Sequence, residues 1–482
     1  MQLCIELVTS GLCSYRGAAR CLELLNQWFD VPTPGQVTIQ NWVMRLGGYL
    51  LEYQRPFQED WVLIPDHTVE QGKDKCLVFL GIPTKTLENN IKLKHSDAQV
   101  LTILPQEHAT GETVLEALRE VTVRHGSPTY IVSDRGSDLA KAIRLYIEEH
   151  PETAEIYDIT HDMANQLKRV LQGDARWEAF SKHISQTAKE TRQTELQFLG
   201  PIAMRVKSRF LNLGLILIWA EKILNYGQRE DLDDIEAGWF LSEDEVLKLK
   251  IYNGWSQLKF LEKLQDQHYS HKKDFLTAFE ALAGDLPENL RQVVLVAADK
   301  NQLRFTEKFG WLEDYREDVT LWSQMYLAVR LAMTQVKREG LNHRTTEELK
   351  SAFSQELELT SERATAFSKR VLACVQDQAT KVAEGETWLG TSDIIESIFG
   401  KAKIFTKRSP LKTVNSLLLT IPVFTENLSA DLIREAMESF STKMFRELKE
   451  NLFGASAFLK RKLALVRSKK VPEVLNPNKA QI

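Results

Sequence analysis

Three acidic residues in this 482-residue chain stand out for the chemistry they could do together. Asp66 closes the apolar run that begins at Trp61, Asp134 closes the run TYIVSD that begins at Thr129, and Glu396 lies far along the chain in SDIIESIFGKAK. A carboxylate at the end of an otherwise buried strand is costly unless it is paired, hydrogen-bonded or bound to a metal. Two such aspartates on neighbouring strands, with a glutamate from a helix packed on the sheet, are a minimal set for holding two divalent ions ~3.5–4 Å apart, an arrangement that cleaves phosphodiesters. Oxygen ligands and retained waters favour Mg2+ or Mn2+.

Each acid also has a structural reading. Asp66 could simply end a strand, Asp134 could open a turn with Arg135 and Gly136, and Asp138 could be mistaken for it while capping a helix. Asp393-x-x-Glu396 fits an N-cap with its capping-box glutamate. On the side of a site, Ser397, Gly400, Lys401 and Lys403 offer close packing and phosphate-pairing charge one turn further on.

The elements that must position these residues follow from the periods. The stretch WVLIPDHTVEQGKDKCLVFLGI, Trp61 to Ile82, reads as two strands joined by a turn at Gly72. A third strand is expected over Ala98 to Pro105, then a helix over Glu112 to His125, then the strand ending at Asp134. Ser137 is expected to cap the next helix, Ala154 to Ile159 forms a short strand, and a helix follows from Asp162. Right-handed crossovers put the fourth strand beside the first, which brings Asp66 and Asp134 together.

Ahead of this region, residues 1 to about 52 read as three short helices. Ser14 caps YRGAARCLELLNQWF, the cluster Pro32-Thr-Pro-Gly35 breaks the chain, and a further helix follows. Gly17, Ala18 and Ala19 would let two helices cross closely. The spacing resembles a helix-turn-helix, with Gln36, Thr38, Gln40, Asn41 and Arg45 as exposed readers of base edges and Ile39, Trp42 and Val43 in the core. A plain helical hairpin is the alternative. Between about Asp174 and Gly385 the pattern is helical throughout. The acidic run Arg229 to Glu245 reads as a surface loop and helix start, and His268 and His271 as a solvent-exposed pair on a helix.

A net charge of -5 looks wrong for a chain that grips nucleic acid, but from Lys401 onward 16 Lys and Arg face 7 Asp and Glu. The basic surplus sits beside the proposed site, where a polyanion would lie; a solvated helical face with a basic tail is the alternative. No stretch approaches the ~20 apolar residues of a membrane span, and the N-terminus lacks a secretory signal. Five scattered cysteines suit a reducing compartment, so a soluble, cytoplasmic protein without disulfides is expected.

Together, PDHT with LVFLGI, then IVSDRGSD, YDITHDMANQLKR and SDIIESIFGKAK resemble the DDE transposases of the RNase H-like, retroviral-integrase superfamily, as found in bacterial insertion sequences. Asp158-Ile-Thr-His161 is similar to the C/D-x-x-H motif of hAT, Mutator-type and related bacterial transposases. The resemblance covers residues 55 to 170 and 388 to 405, and the region between only by its helical character. It implies an α/β RNase H-like core with a large all-α insertion: a helix-turn-helix over 1–54, the first part of the core over 55–173, the insertion over 174–386, the last core helix over 387–408 and a basic helical region over 409–482.

The resemblance also implies roles. Asp66, Asp134 and Glu396 become the catalytic ligands of two Mg2+ or Mn2+ ions. His161 becomes a catalytic residue near the scissile phosphate, though a helix-start histidine bonding backbone is the bland reading. Trp388 would stack on a flipped base, unless it is a core tryptophan. Arg135, Lys168, Arg169, Lys401 and Lys403 would contact DNA. The implied activity is nicking at transposon ends and attack of the freed 3′-OH on target DNA, by a homo-oligomer holding double-stranded ends, without a membrane. A nuclease without strand transfer and an inactive DNA-binding regulator are the rivals.

Overall fold

From Trp61 to Ile64 no side chain reaches solvent, and a strand buried on both faces belongs inside a sheet rather than at its edge. The computed structural model describes residues 1–53, 57–71, 74–202, 213–228, 235–236, 268–269, 307–408, 414–454 and 457–468. Strands β1 (Trp61–Gln71), β2 (Asp74–Pro83), β3 (Gln99–Gln106), β4 (Pro128–Ser133) and β5 (Ala154–Tyr157) form one sheet in the order β3-β2-β1-β4-β5. β2 runs antiparallel to both β1 and β3, β4 lies parallel to β1, and β5 parallel to β4. The fourth strand therefore does lie beside the first.

Trp61, Leu63, Leu77, Phe79 and Leu101 fill one face of the sheet against helices Gly111–His125 and Ser137–Glu149. Side chains alternate along a strand, so Val62, Ile64 and Asp66 belong to the other face, where helix Asp393–Arg408 approaches β1. Asp66 is thus set on the face that receives Glu396.

The chain divides into two compact units. One comprises Met1–Asp162, Met333–Glu348 and Cys374–Ile482, the other Met163–Ala332 and Leu349–Ala373. In this division the helical unit starts at Met163, and residues 333–348 and 374–386 fall in the sheet-bearing unit. Within the helical unit, Trp177, Phe180, Tyr315 and Trp322 form an aromatic cluster, with Trp177 and Trp322 edge to face at 5.0 Å. No helix among the described residues is long and apolar enough to cross a membrane.

Several expectations need correction. The second N-terminal helix stops at Leu25, not Phe29: Asn26 Oδ1 accepts from the Val31 amide and turns the chain. The cap before helix Ser137–Glu149 is Gly136, not Ser137. The helix after β5 begins at Ile159, three residues early. His268 lies in a two-residue strand, His268–Tyr269, paired with Ile235–Glu236, not on a helix. His271, most of the acidic run 229–245 and the tail after Ser468 lie outside the described residues.

The N-terminal helices are built into the sheet-bearing unit. Helix Gln36–Glu52 buries Val43, Leu46, Gly47, Gly48, Leu50 and Leu51, and a Cβ placed on Gly47 would fall 1.6 Å from the carbonyl oxygen of Leu419. The close approach made possible by a small residue is there, not at Gly17, whose nearest neighbour is its own cap, Ser14.

Candidate active site

Asp66 does not end its strand. It sits within β1 opposite Val78, and pairing with β2 continues through His67 and Thr68. The recorded β1–β4 pairing ends at Leu63 opposite Ile131, and the same register carried three places on would set Asp66 against Asp134. Asp134 follows β4 in a tight turn, its Oδ1 accepting the Gly136 amide at 2.8 Å, with Arg135 at φ +53°.

Glu396 lies in the first turn of its helix. Its carboxylate does not close a capping box with Asp393: Oε1 lies 3.1 Å from His161 Nε2, while Asp393 pairs with Lys337 Nζ at 2.7 Å. The hydrogen bond to Glu396 lifts His161 to about 9, against the opposing effect of burial. The same bond lowers Glu396, so the pair is imidazolium and carboxylate at neutral pH.

Asp66 feels the charge of both other acids. Burial, then the charge of Asp134, raise Asp66 to about 7; the His67 amide, 2.6 Å from Oδ1, works against this, and Glu396 raises it further. A carboxylate held against two others is in the electrostatic position that a bound cation relieves. The donor set, all carboxylate oxygen, suits a hard divalent ion. Among the described residues no group of three or more His, Cys, Asp or Glu encloses one metal position.

Other candidates are placed differently. Arg135 is engaged within the protein: its guanidinium forms a two-pronged bond with Glu155, at 3.1 and 2.8 Å, and covers the Tyr157 ring at 4.8 Å, with 35% of the side chain exposed. Arg45 donates to the carbonyls of Phe440 and Met437 at the end of helix Ala430–Ser439. Trp388 is 7% exposed and stacked on Tyr130 at 4.3 Å, its Nε1 donating to Glu386, so its ring is committed to the core. Thr38 and Asn41 are exposed, Gln40 is half-buried, and Gln36 accepts from Arg16 Nε at 2.7 Å. Lys168 and Arg169 are exposed in the helical unit. Lys401 is half-buried, its ammonium 5.8 Å from the Phe424 ring centre, and Lys403 is exposed and acts electrostatically on Glu396.

Sequence reasoning missed a second group of residues around the carboxylates. Asp138 does not serve only as a helix-start residue: its Oδ2 takes Lys75 Nζ at 3.2 Å and lies 3.1 Å from His67 Nε2. It ties the β1–β2 pair to the helix that follows Asp134. His95 Nε2 lies 2.9 Å from Ser397 Oγ, next to Glu396. The signal for Asp138 was its place in SDRGSD; for His95 there was none. A cavity of about 730 Å3 lies elsewhere in this unit, at Thr129, Tyr130, Asn342, Arg344 and Trp388, and none of the three acids lines it.

The Arg135 arrangement gives a first expected result. Arg135→Gln should leave DNA affinity within about twofold of the parent and lower stability by roughly 1–2 kcal/mol, since a partly buried charge pair loses one partner. Fluorescence anisotropy with a duplex and a urea melt measure the two; a tenfold loss of affinity in the folded variant would return Arg135 to the DNA surface.

No family model matches the chain, and no curated protein matches it. Among solved structures it is similar to the Drosophila P element transposase strand transfer complex, at 12% identity and a TM-score of 0.38, covering 90% of this chain and 92% of that one. A superposition this loose assigns neither family nor activity, so the functional reading rests on the residues of the site.

Proposed function

We propose that this protein is a DDE transposase, cutting DNA at transposon ends and joining the freed 3′-OH to target DNA. The observation that carries this reading is the electrostatic convergence of Asp134 and Glu396 on Asp66, from the turn after β4 and one distant helix, with Asp66 raised to about 7. The mixed sheet, a three-stranded meander followed by two parallel strands, fits the RNase H-like core that the motifs imply. Exposed Thr38 and Asn41 fit DNA contact by the N-terminal helices.

Asp66, Asp134 and Glu396 would hold two Mg2+ or Mn2+ ions, which when bound activate the attacking oxygen and stabilise the leaving one. The protein's own part is charge and position. His161, positively charged through Glu396, offers a cation to the phosphate, and Lys403 adds a second on the Glu396 helix. Hydrolysis and joining each exchange one oxygen for another at phosphorus, so one arrangement of residues serves both steps. Assembly as a dimer or larger oligomer would hold two DNA ends together.

The test is a joining assay. Labelled duplexes drawn from the DNA flanking the gene are incubated with the protein, Mg2+ and a target plasmid. Joined product is the expected result. Cutting without joining leaves a nuclease, and binding without cutting leaves a DNA-binding regulator.

A further inference from the structure

Asp158 has no exposed surface, yet it carries no role in the chemistry above. Its Oδ1 accepts the His161 amide at 2.8 Å, and its Oδ2 accepts the amide and the hydroxyl of Ser392, the latter at 2.9 Å. Its own amide donates to Ser133, the residue before Asp134, at 2.9 Å. The next amide, Ile159, donates to Gly390 at 3.0 Å. One buried carboxylate therefore caps two helices at once, one carrying His161 and the other Glu396, while its backbone is bonded to the end of β4.

An anion at two helix N-termini satisfies donors that the helices leave unpaired and is favoured by both helix dipoles. Ser392 and Asp158 are 234 residues apart in sequence. Ser392 precedes Glu396 by one helical turn, so the direction of this contact sets where the Glu396 side chain emerges. His161 is held by the other oxygen, one turn into its own helix. The side chain of Asp158 joins the starts of the two helices beside the Ile159–Gly390 backbone bond, and its backbone amide ties the pair to the end of β4 next to Asp134.

We infer that Asp158 is a positioning residue, fixing the Glu396–His161 pair relative to Asp134 by capping both helices with one buried carboxylate. The inference rests on the proposed DNA-cutting activity for its catalytic consequence, but not for its structural one. Misplacement of a reacting group by about 1 Å can cost about 100-fold in rate. Asp158→Asn keeps an acceptor for His161 but turns an NH2 group toward the Ser392 amide, a buried donor facing a donor.

The experiment measures two quantities on the full chain: kcat and KM for DNA cleavage, and hydrogen exchange in the peptide covering residues 389–398. In Asp158→Asn, kcat should fall about 100-fold with KM within twofold, and exchange in that peptide should rise while the rest of the sheet stays protected. Ser392→Ala, losing one of the three bonds, should show the same pattern at about fivefold in kcat, and it decides the matter if Asp158→Asn does not fold. Raised exchange with unchanged kcat overturns the positioning role, and so does unchanged exchange. If the wild-type protein cuts no DNA, the proposed function fails, and the exchange measurement alone supports or overturns the anchoring of the Glu396 helix.

Discussion

An Asp66→Asn protein should bind DNA as the wild type does, cut it at least about 1000-fold more slowly, and be more stable than the wild type when no divalent cation is present. The rate follows from charge: Asp66 is the carboxylate that feels both Asp134 and Glu396. On the proposed function, removing one anionic metal ligand would forfeit several kcal/mol of transition-state stabilisation, and each tenfold is about 1.4 kcal/mol. The gain in stability follows from linkage. Burial and the charge of Asp134, with a smaller push from Glu396, hold the folded pKa near 7, above the ordinary carboxyl value. Over the interval between those two values the folded state binds more protons than the unfolded one, so stability is lost as pH rises through it.

Asparagine carries no charge and escapes that loss. Solvent screens the half-exposed Glu396, so the gain is put at about 1 kcal/mol at pH 7.5 and less toward pH 4. Melting curves in EDTA at the two pH values measure it. Mn2+ should raise the melting temperature of the wild type and leave that of Asp66→Asn nearly unmoved. A variant that melts lower than the wild type in EDTA, or that still cuts DNA, removes Asp66 from the site.

The strand that carries Asp66 was drawn too short for a physical reason. The run from Trp61 to Ile64 is apolar where β1 has neighbours on both sides, and the recorded pairing with β4 ends at Leu63. Beyond it β1 goes on beside β2 alone, with polar residues admitted, so the apolar pattern marks the end of one neighbour and not of the strand. Glu396 could be named from its motif, but its alternative as a capping residue was excluded only by a partner 235 residues away, His161.

Arg45, Arg135 and Trp388 show the opposite limit. Residue type made each a fair DNA contact, and each is occupied by a group that sequence spacing cannot reveal: the carbonyls of Met437 and Phe440, the carboxylate of Glu155 and the ring of Tyr130. The start of the helical unit was hidden for a related reason. It falls at Met163 inside helix Ile159–Leu171, where neither period nor composition changes.

Gly47→Ala should destabilise the sheet-bearing unit by at least about 3 kcal/mol, more than the ~1–3 kcal/mol usual for an overpacked core. The added methyl would lie 1.6 Å from the Leu419 carbonyl oxygen and 2.8 Å from its carbon, which are backbone atoms that no rotamer change removes. Gly48 beside it is crowded too, by Leu448 and Phe440, so the helix cannot roll to make room. The better helix propensity of alanine returns only about 1 kcal/mol. Gly17→Ala is the control: its nearest atom is the Ser14 hydroxyl at 3.2 Å, and a change within about 1 kcal/mol is expected. Thr38→Ala and Asn41→Ala, at exposed positions on the same helix as Gly47, should leave stability within about 0.5 kcal/mol and weaken DNA binding. The helix that offers those side chains is thus also a wall of the fold. Removing residues 1–52 should unfold the sheet-bearing unit rather than merely relax DNA specificity, as circular dichroism of the truncated chain would show. A Gly47→Ala protein that melts with the wild type would mean that helix and the Leu419 segment are not packed together in solution.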